Sequence, residues 1–153
     1  MSNMMSSEAQ RARFLNDTVM SASPARLLTM LYDRLVLDLD RGAKAQLAGD
    51  AAEAHRQLTH AQDILAELLV TLDVDAWQGA VGLQSLYSHL ISELVQANIT
   101  HDAARTQQCR EAVEPLRAAW HEAAAELGGT AARNELAAAG ARQPSTGGVL
   151  GVG

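Results

Sequence analysis

The sequence predicts an all-α protein, an antiparallel up-down four-helix bundle with a short N-terminal docking segment and a flexible C-terminal tail. Three observations carry this. Ala and Leu supply most of the hydrophobic residues, which form 48% of the chain, and both favour helices. Four separate stretches repeat apolar residues at steps of three and four, the helical period. No stretch alternates as a half-buried strand does, and at 153 residues the chain suffices for one core without disulfides or metal.

Residues 1–22 read as an N-terminal arm whose apolar patch, Phe14, Leu15, Val19 and Met20, is too short to hold a helix alone and must dock. Ser23 then offers an N-cap hydroxyl and Pro24 a pre-set φ, so helix one is expected over 24–48, with Leu27, Leu28, Leu31, Tyr32, Leu35, Leu39 and Ala43 facing the core. Asp50, with Glu53 three residues on, forms a capping box for helix two, 51–72, whose seam is Ala51, Ala54, Leu58, Ala61, Leu65, Leu68 and Leu72. Asp73, Asp75, Gly79 and Gly82 mark a loop that carries Trp77.

Helix three is expected over 83–98, through Leu83, Leu86, Tyr87, Leu90, Leu94 and Ala97, ending where Asn98 tolerates the left-handed conformation. Asp102 caps helix four, 103–127, with Cys109, Ala112, Val113, Leu116, Trp120, Ala123 and Leu127 inward; Pro115 is expected to kink it and Gly128-Gly129 to end it. Residues 129–153 are Ala- and Gly-rich and read as a flexible tail with a transient helix at 131–139. Short connections make neighbouring helices run antiparallel, so 23–128 reads as one bundle.

The net charge of −6, without a Lys/Arg cluster, argues against nucleic acid as a partner. Cys109 stands alone, which fits a reducing compartment and places the protein in the cytoplasm. Met1 to Gln10 lack the features of a secretory signal, and the apolar run Leu27 to Tyr32 is broken by Asp33 and Arg34, so no membrane span is expected.

No catalytic residues and no cofactor or metal site are expected. The chain has no Glu-x-x-His pair of the di-metal bundles and no i, i+4 histidine pair, so His55, His60, His89, His101 and His121 read as solvent-facing. Cys109, on an apolar stripe, reads as an inert core thiol, and the glycines at 42, 49, 79 and 82 as breakers. A histidine phosphotransfer module built on His60 is the alternative reading, yet that histidine is followed by Ala61, Gln62, Asp63 and Ile64, without the Lys and Gly such a site uses. A structural helical-bundle interaction module is the other.

Met30 and Leu37, seven residues apart and outside the core arc of helix one, share a side with Arg34 and Arg41, a strip able to receive a partner helix. Ile91 and Val95 broaden the apolar face of helix three in the same way.

The segment Val19-Met-Ser-Ala-Ser-Pro-Ala-Arg-Leu-Leu-Thr-Met-Leu-Tyr-Asp33 resembles the start of the flagellar secretion chaperone FliS family, with its ser-pro, leu-leu and met-leu-tyr-asp pattern. Ala61-Gln-Asp-Ile-Leu-Ala-Glu-Leu68, Leu83-Gln-Ser-Leu-Tyr87, Leu94-Val-Gln-Ala-Asn98 and Leu116-Arg-Ala-Ala-Trp120 look like later blocks of that family, in order. The resemblance spans about Ala12 to Leu127; Phe14 stands where the family usually has tyrosine, and Arg26 where it often has an acid.

The resemblance implies a cytoplasmic export chaperone that binds the disordered C-terminal segment of flagellin and prevents polymerisation before type III export, with no enzymatic activity. It also allows an export-gate protein or an anti-sigma factor to share the surface, and leaves the oligomeric state open. The expected partner-binding residues are Phe14, Leu15, Val19 and Met20 as a displaceable cover, Met30, Leu37, Ile91 and Val95 as groove candidates, and Tyr32, Asp33 and Tyr87 from the family motifs.

Overall fold

The computed structural model describes residues 7–11 and 23–142. Phe14, Leu15, Val19 and Met20 of the expected cover lie outside the described residues, as does the chain from 143 onward. Every described element is an α-helix: a short one at 7–11, then α1 (Pro24–Leu47), α2 (Ala51–Thr71), α3 (Ala80–Thr100) and α4 (Ala103–Arg142).

Local chemistry sets the ends of α1 and the start of α2. Ser23 Oγ accepts the Arg26 N–H at 3.1 Å, and Pro24 supplies a first helical residue whose missing N–H costs nothing there. At the other end Gly49 takes φ 75°, where its N–H reaches the Gln46 carbonyl at 3.1 Å and the Asp50 N–H reaches that of Ala45 at 2.9 Å. The next residue begins α2 at once, because the Asp50 carboxylate accepts the Glu53 N–H at 3.1 Å. The capping box is only half made: the Glu53 carboxylate turns outward to Arg56 and Gln57.

The later boundaries differ from those expected. α3 starts at Ala80, not Leu83, since Ala80 is itself fully buried and Gly82 meets no obstacle within the first turn. It ends at Thr100, and the left-handed residue is His101 (φ 53°), not Asn98. The Asn98 side chain is occupied elsewhere, within 2.8 Å of His55 Nδ1 on α2.

α4 is capped by Asp102, which accepts the Arg105 N–H at 3.1 Å. It passes Pro115 without dividing into two helices and continues beyond Gly128-Gly129 to Arg142. The expected stop and the flexible start of the tail are therefore corrected over 129–142. Each glycine costs up to about 1 kcal/mol against alanine in a helix, but a helix already nucleated extends one hydrogen bond per residue through the Ala-rich stretch that follows.

α1 packs along α2 and α4, and α3 packs along the same two helices, while α1 and α3 lie across the diagonal and meet through side chains, Gln46 Nε2 donating to the Ala97 carbonyl at 3.0 Å. The core therefore runs between two diagonals, with Tyr32, Leu35 and Leu39 meeting Leu58, Leu65, Leu94 and Val113. Each such side chain contributes roughly 1.5–3 kcal/mol through burial.

Because α1 has two packing neighbours, its buried arc is wide and displaced from the expected one. Thr29, Val36, Asp38 and Ala45 are buried, whereas Leu27 is 38% exposed. Gly42 is not a breaker but lies inside α1, where a Cβ would come within 2.8 Å of the Leu58 side chain. On α4 the buried face runs through Thr106, Cys109 and Val113 and fades outward, leaving Leu127 62% exposed. Ala51 and Ala112, both expected inward, are exposed.

Candidate partner-binding surface

Met30 and Leu37 lie on the outward ridge of α1, 52% and 38% exposed. Two different edges border them. Toward α2, Arg34 donates from Nε to Asp38 Oδ1 at 2.9 Å, and Asp38 Oδ2 pairs with His60 Nδ1. Toward α4, Asp33 accepts from Arg117 at 3.0 Å and pairs with His121 at 2.6 Å, while Asp40 accepts from Arg110 at 2.9 Å. The carboxylates Asp33, Asp38 and Asp40 along the strip are thus already paired within the fold.

Beside Met30 the α1–α4 seam opens into a cleft of about 480 Å³, lined by Arg26, Met30, Asp33, His121 and Ala124. It exists because α4 continues past the first turn of α1. Burial alone would raise the Asp33 carboxyl, but the hydrogen bonds from His121 and Arg117 outweigh it and hold the group below its ordinary range. The cleft wall therefore carries a fixed anionic oxygen whose two partners come from α4.

The expected residues do not form one continuous groove. Ile91 and Val95 are half-buried on α3, which lies diagonally across from α1, and Ile91 packs against the core. Tyr32 and Tyr87 are buried with their hydroxyls 2.5 Å apart, so in this structure they hold the core together and present no surface. Asp33 is exposed at the cleft.

All five histidines are exposed, as expected. Three of them nonetheless take a side-chain partner on another helix, His55 with Asn98, His60 with Asp38 and His121 with Asp33. Asp38 itself was missed; it is fully buried, and the available signal was its i, i+4 spacing from Arg34 between the core residues Leu35 and Leu39. Cys109 is buried among apolar side chains, and burial, with Glu93 nearby, pushes its thiol up to about 11. Among the described residues no group of three or more His, Cys, Asp or Glu side chains could hold a metal ion.

What the surface offers is an apolar ridge and a cleft, with no nucleophile beside a base. Residues 5–127 match the family described as Flagellar protein FliS. The chain belongs to the FliS family.

Three curated members show the same relationship. The flagellar secretion chaperone FliS of Bacillus subtilis is 29% identical over 110 residues, covering 72% of this chain and 82% of that protein. Its namesake in Salmonella typhimurium is 30% identical, covering 71% and 82%, and that of Escherichia coli 28% identical, covering 71% and 81%. FliS proteins are chaperones, so this chain is not an enzyme and the phosphotransfer alternative at His60 is set aside. The FliS match stops at 127, so the part of α4 from 128 to 142 lies outside it.

Proposed function

We propose that the protein is a cytoplasmic export chaperone for flagellin, binding the disordered C-terminal segment of the subunit and preventing polymerisation before type III secretion. Membership of a family whose curated members are flagellar secretion chaperones carries this reading. Among the described residues no helix is long and apolar enough to cross a membrane.

The reading places the four helices as an antiparallel up-down bundle, supported by their short connections and by each helix packing on two neighbours. A preformed core has already met its own ordering cost, so it can present apolar surface to a segment that has not folded. Met30 and Leu37, with the α1–α4 cleft, are the first contact region, and Ile91 and Val95 a second on the opposite diagonal. Covering a half-exposed Met or Leu contributes on the order of 1 kcal/mol, so a micromolar complex needs several such anchors distributed along the segment. Phe14, Leu15, Val19 and Met20 would cover part of this surface until the client displaces them.

Seeded polymerisation of purified flagellin, followed by light scattering with and without an equimolar amount of this protein, tests the reading. Suppression that is lost in a Met30→Asp/Leu37→Asp variant of unchanged thermal stability supports it; unchanged polymerisation with the wild-type protein refutes it.

A further inference from the structure

All of the net charge of the chain resides in one continuous stretch. Residues 57–104, most of α2, the loop after it and α3, carry six acids (Asp63, Glu67, Asp73, Asp75, Glu93 and Asp102) and no Lys or Arg, against a total of −6. The remaining acids and bases are equal in number. Beside this cation-free stretch the structure has a pocket.

The pocket, of about 170 Å³, has an apolar wall of Leu28, Leu68, Leu72 and Leu83 and a floor that includes Trp120. Trp77 closes one side. It is 50% exposed, and its ring folds back over Gly79, where a Cβ would fall within the ring itself. Glycine at 79 is what permits that placement. The Trp120 ring, tilted against Tyr32 with centroids 6.4 Å apart, forms the inner limit of the pocket. Asp73 forms part of the pocket wall, with Asp75 next to it in the same turn, and both carboxylates face solvent.

We infer that this pocket is an anchor site for a cationic apolar peptide segment: one Leu- or Phe-sized side chain enters between Trp77 and Trp120, and an adjacent Arg or Lys meets Asp73 and Asp75. The size agrees, since an apolar cavity of roughly 150 Å³ accepts a benzene-sized group. The charge agrees, because a basic flank meets the carboxylates of Asp73 and Asp75, which lie in the stretch 57–104 that holds no Lys or Arg. The inference concerns the end of the bundle where the α2–α3 loop meets Leu28 and Trp120, and does not depend on flagellin being the client.

Trp77 and Trp120 are the only tryptophans in the chain, so intrinsic fluorescence reads this pocket alone. The full-length protein is titrated with two blocked peptides that share a central Leu-Leu pair, one flanked by Arg and the other by Glu. A saturable spectral change is expected, with the Arg peptide binding roughly tenfold more tightly at low salt. Asp73→Asn/Asp75→Asn should remove that preference. Ala76→Phe, at an exposed position on the pocket mouth, should remove binding without lowering the melting temperature. Equal response to both peptides, or binding that survives Ala76→Phe, overturns the inference. So does a pocket already filled by the chain itself, seen as a Trp spectrum that shifts red in Phe14→Asp with no peptide present.

Discussion

The Tyr32 and Tyr87 hydroxyls meet at 2.5 Å and so join α1 to α3, which are also linked by Gln46 Nε2 donating to the Ala97 carbonyl at 3.0 Å. The pair forms a polar link across the diagonal of an apolar core, and the Tyr32 ring is tilted against Trp120 with centroids 6.4 Å apart. Removing one hydroxyl leaves the other buried without this partner. Tyr87→Phe should therefore cost about 1–3 kcal/mol, whereas Tyr32→Phe with Tyr87→Phe, which keeps the ring shapes and leaves neither hydroxyl orphaned, should recover most of it. Urea unfolding of the three variants measures this; an additive double variant would show that the hydroxyls act independently.

The same burial governs ionisation. It raises both tyrosines above the ordinary value of 10.0, and these are the only tyrosines in the chain. A raised acid pKa contributes stability that is complete below the unfolded value and declines as pH rises past it. Tyrosinate absorbance should stay silent as pH passes 10 and then appear together with loss of helical circular dichroism. The Cys109 thiol, pushed up to about 11, should resist alkylation at pH 8 until the protein is unfolded.

Gly42 marks the close crossing of α1 and α2. A Cβ there would lie 2.8 Å from Leu58, a fully buried side chain with nowhere to retreat. Gly42→Ala should therefore lower stability by about 1–3 kcal/mol despite its better helix propensity, because overpacking outweighs a propensity gain of up to about 1 kcal/mol. Gly82→Ala, where a Cβ meets nothing, should raise the melting temperature instead.

From 131 to 140 every residue of α4 is exposed. Deleting residues 129–153 should leave the melting temperature within about 2 °C of the full chain, since 129–140 are exposed throughout, while reducing helical ellipticity. A large fall in melting temperature would mean that this stretch packs on the core.

Where the chemistry is local, the fold was legible. Ser23-Pro24 and Asp50 announce helix starts because a cap is a bond between near neighbours, and the seam Ala54, Leu58, Ala61, Leu65, Leu68 is buried because α2 meets the core along one stripe. What failed depends on distant partners. Gly42 looks like a breaker until Leu58 is placed beside it, Asp38 looks solvated until His60 closes over it, and Gly128-Gly129 looks like a stop because sequence does not show that α4 is already nucleated. At the surface, the exposure of Met30 and Leu37 follows from helical spacing alone. The α1–α4 cleft and the Trp77 pocket did not, because each is built by residues more than 40 positions apart.

The most direct measurement of chaperone function is calorimetric titration of this protein with its cognate flagellin and with the same flagellin lacking its last ~40 residues, a length able to run along the helices of such a core. Binding of full-length flagellin alone, at micromolar affinity or better and with the negative heat-capacity change of coupled folding, is the expected result. Equal binding of the truncated subunit would contradict recognition of its C-terminal segment, and absence of binding to either would contradict flagellin as the client.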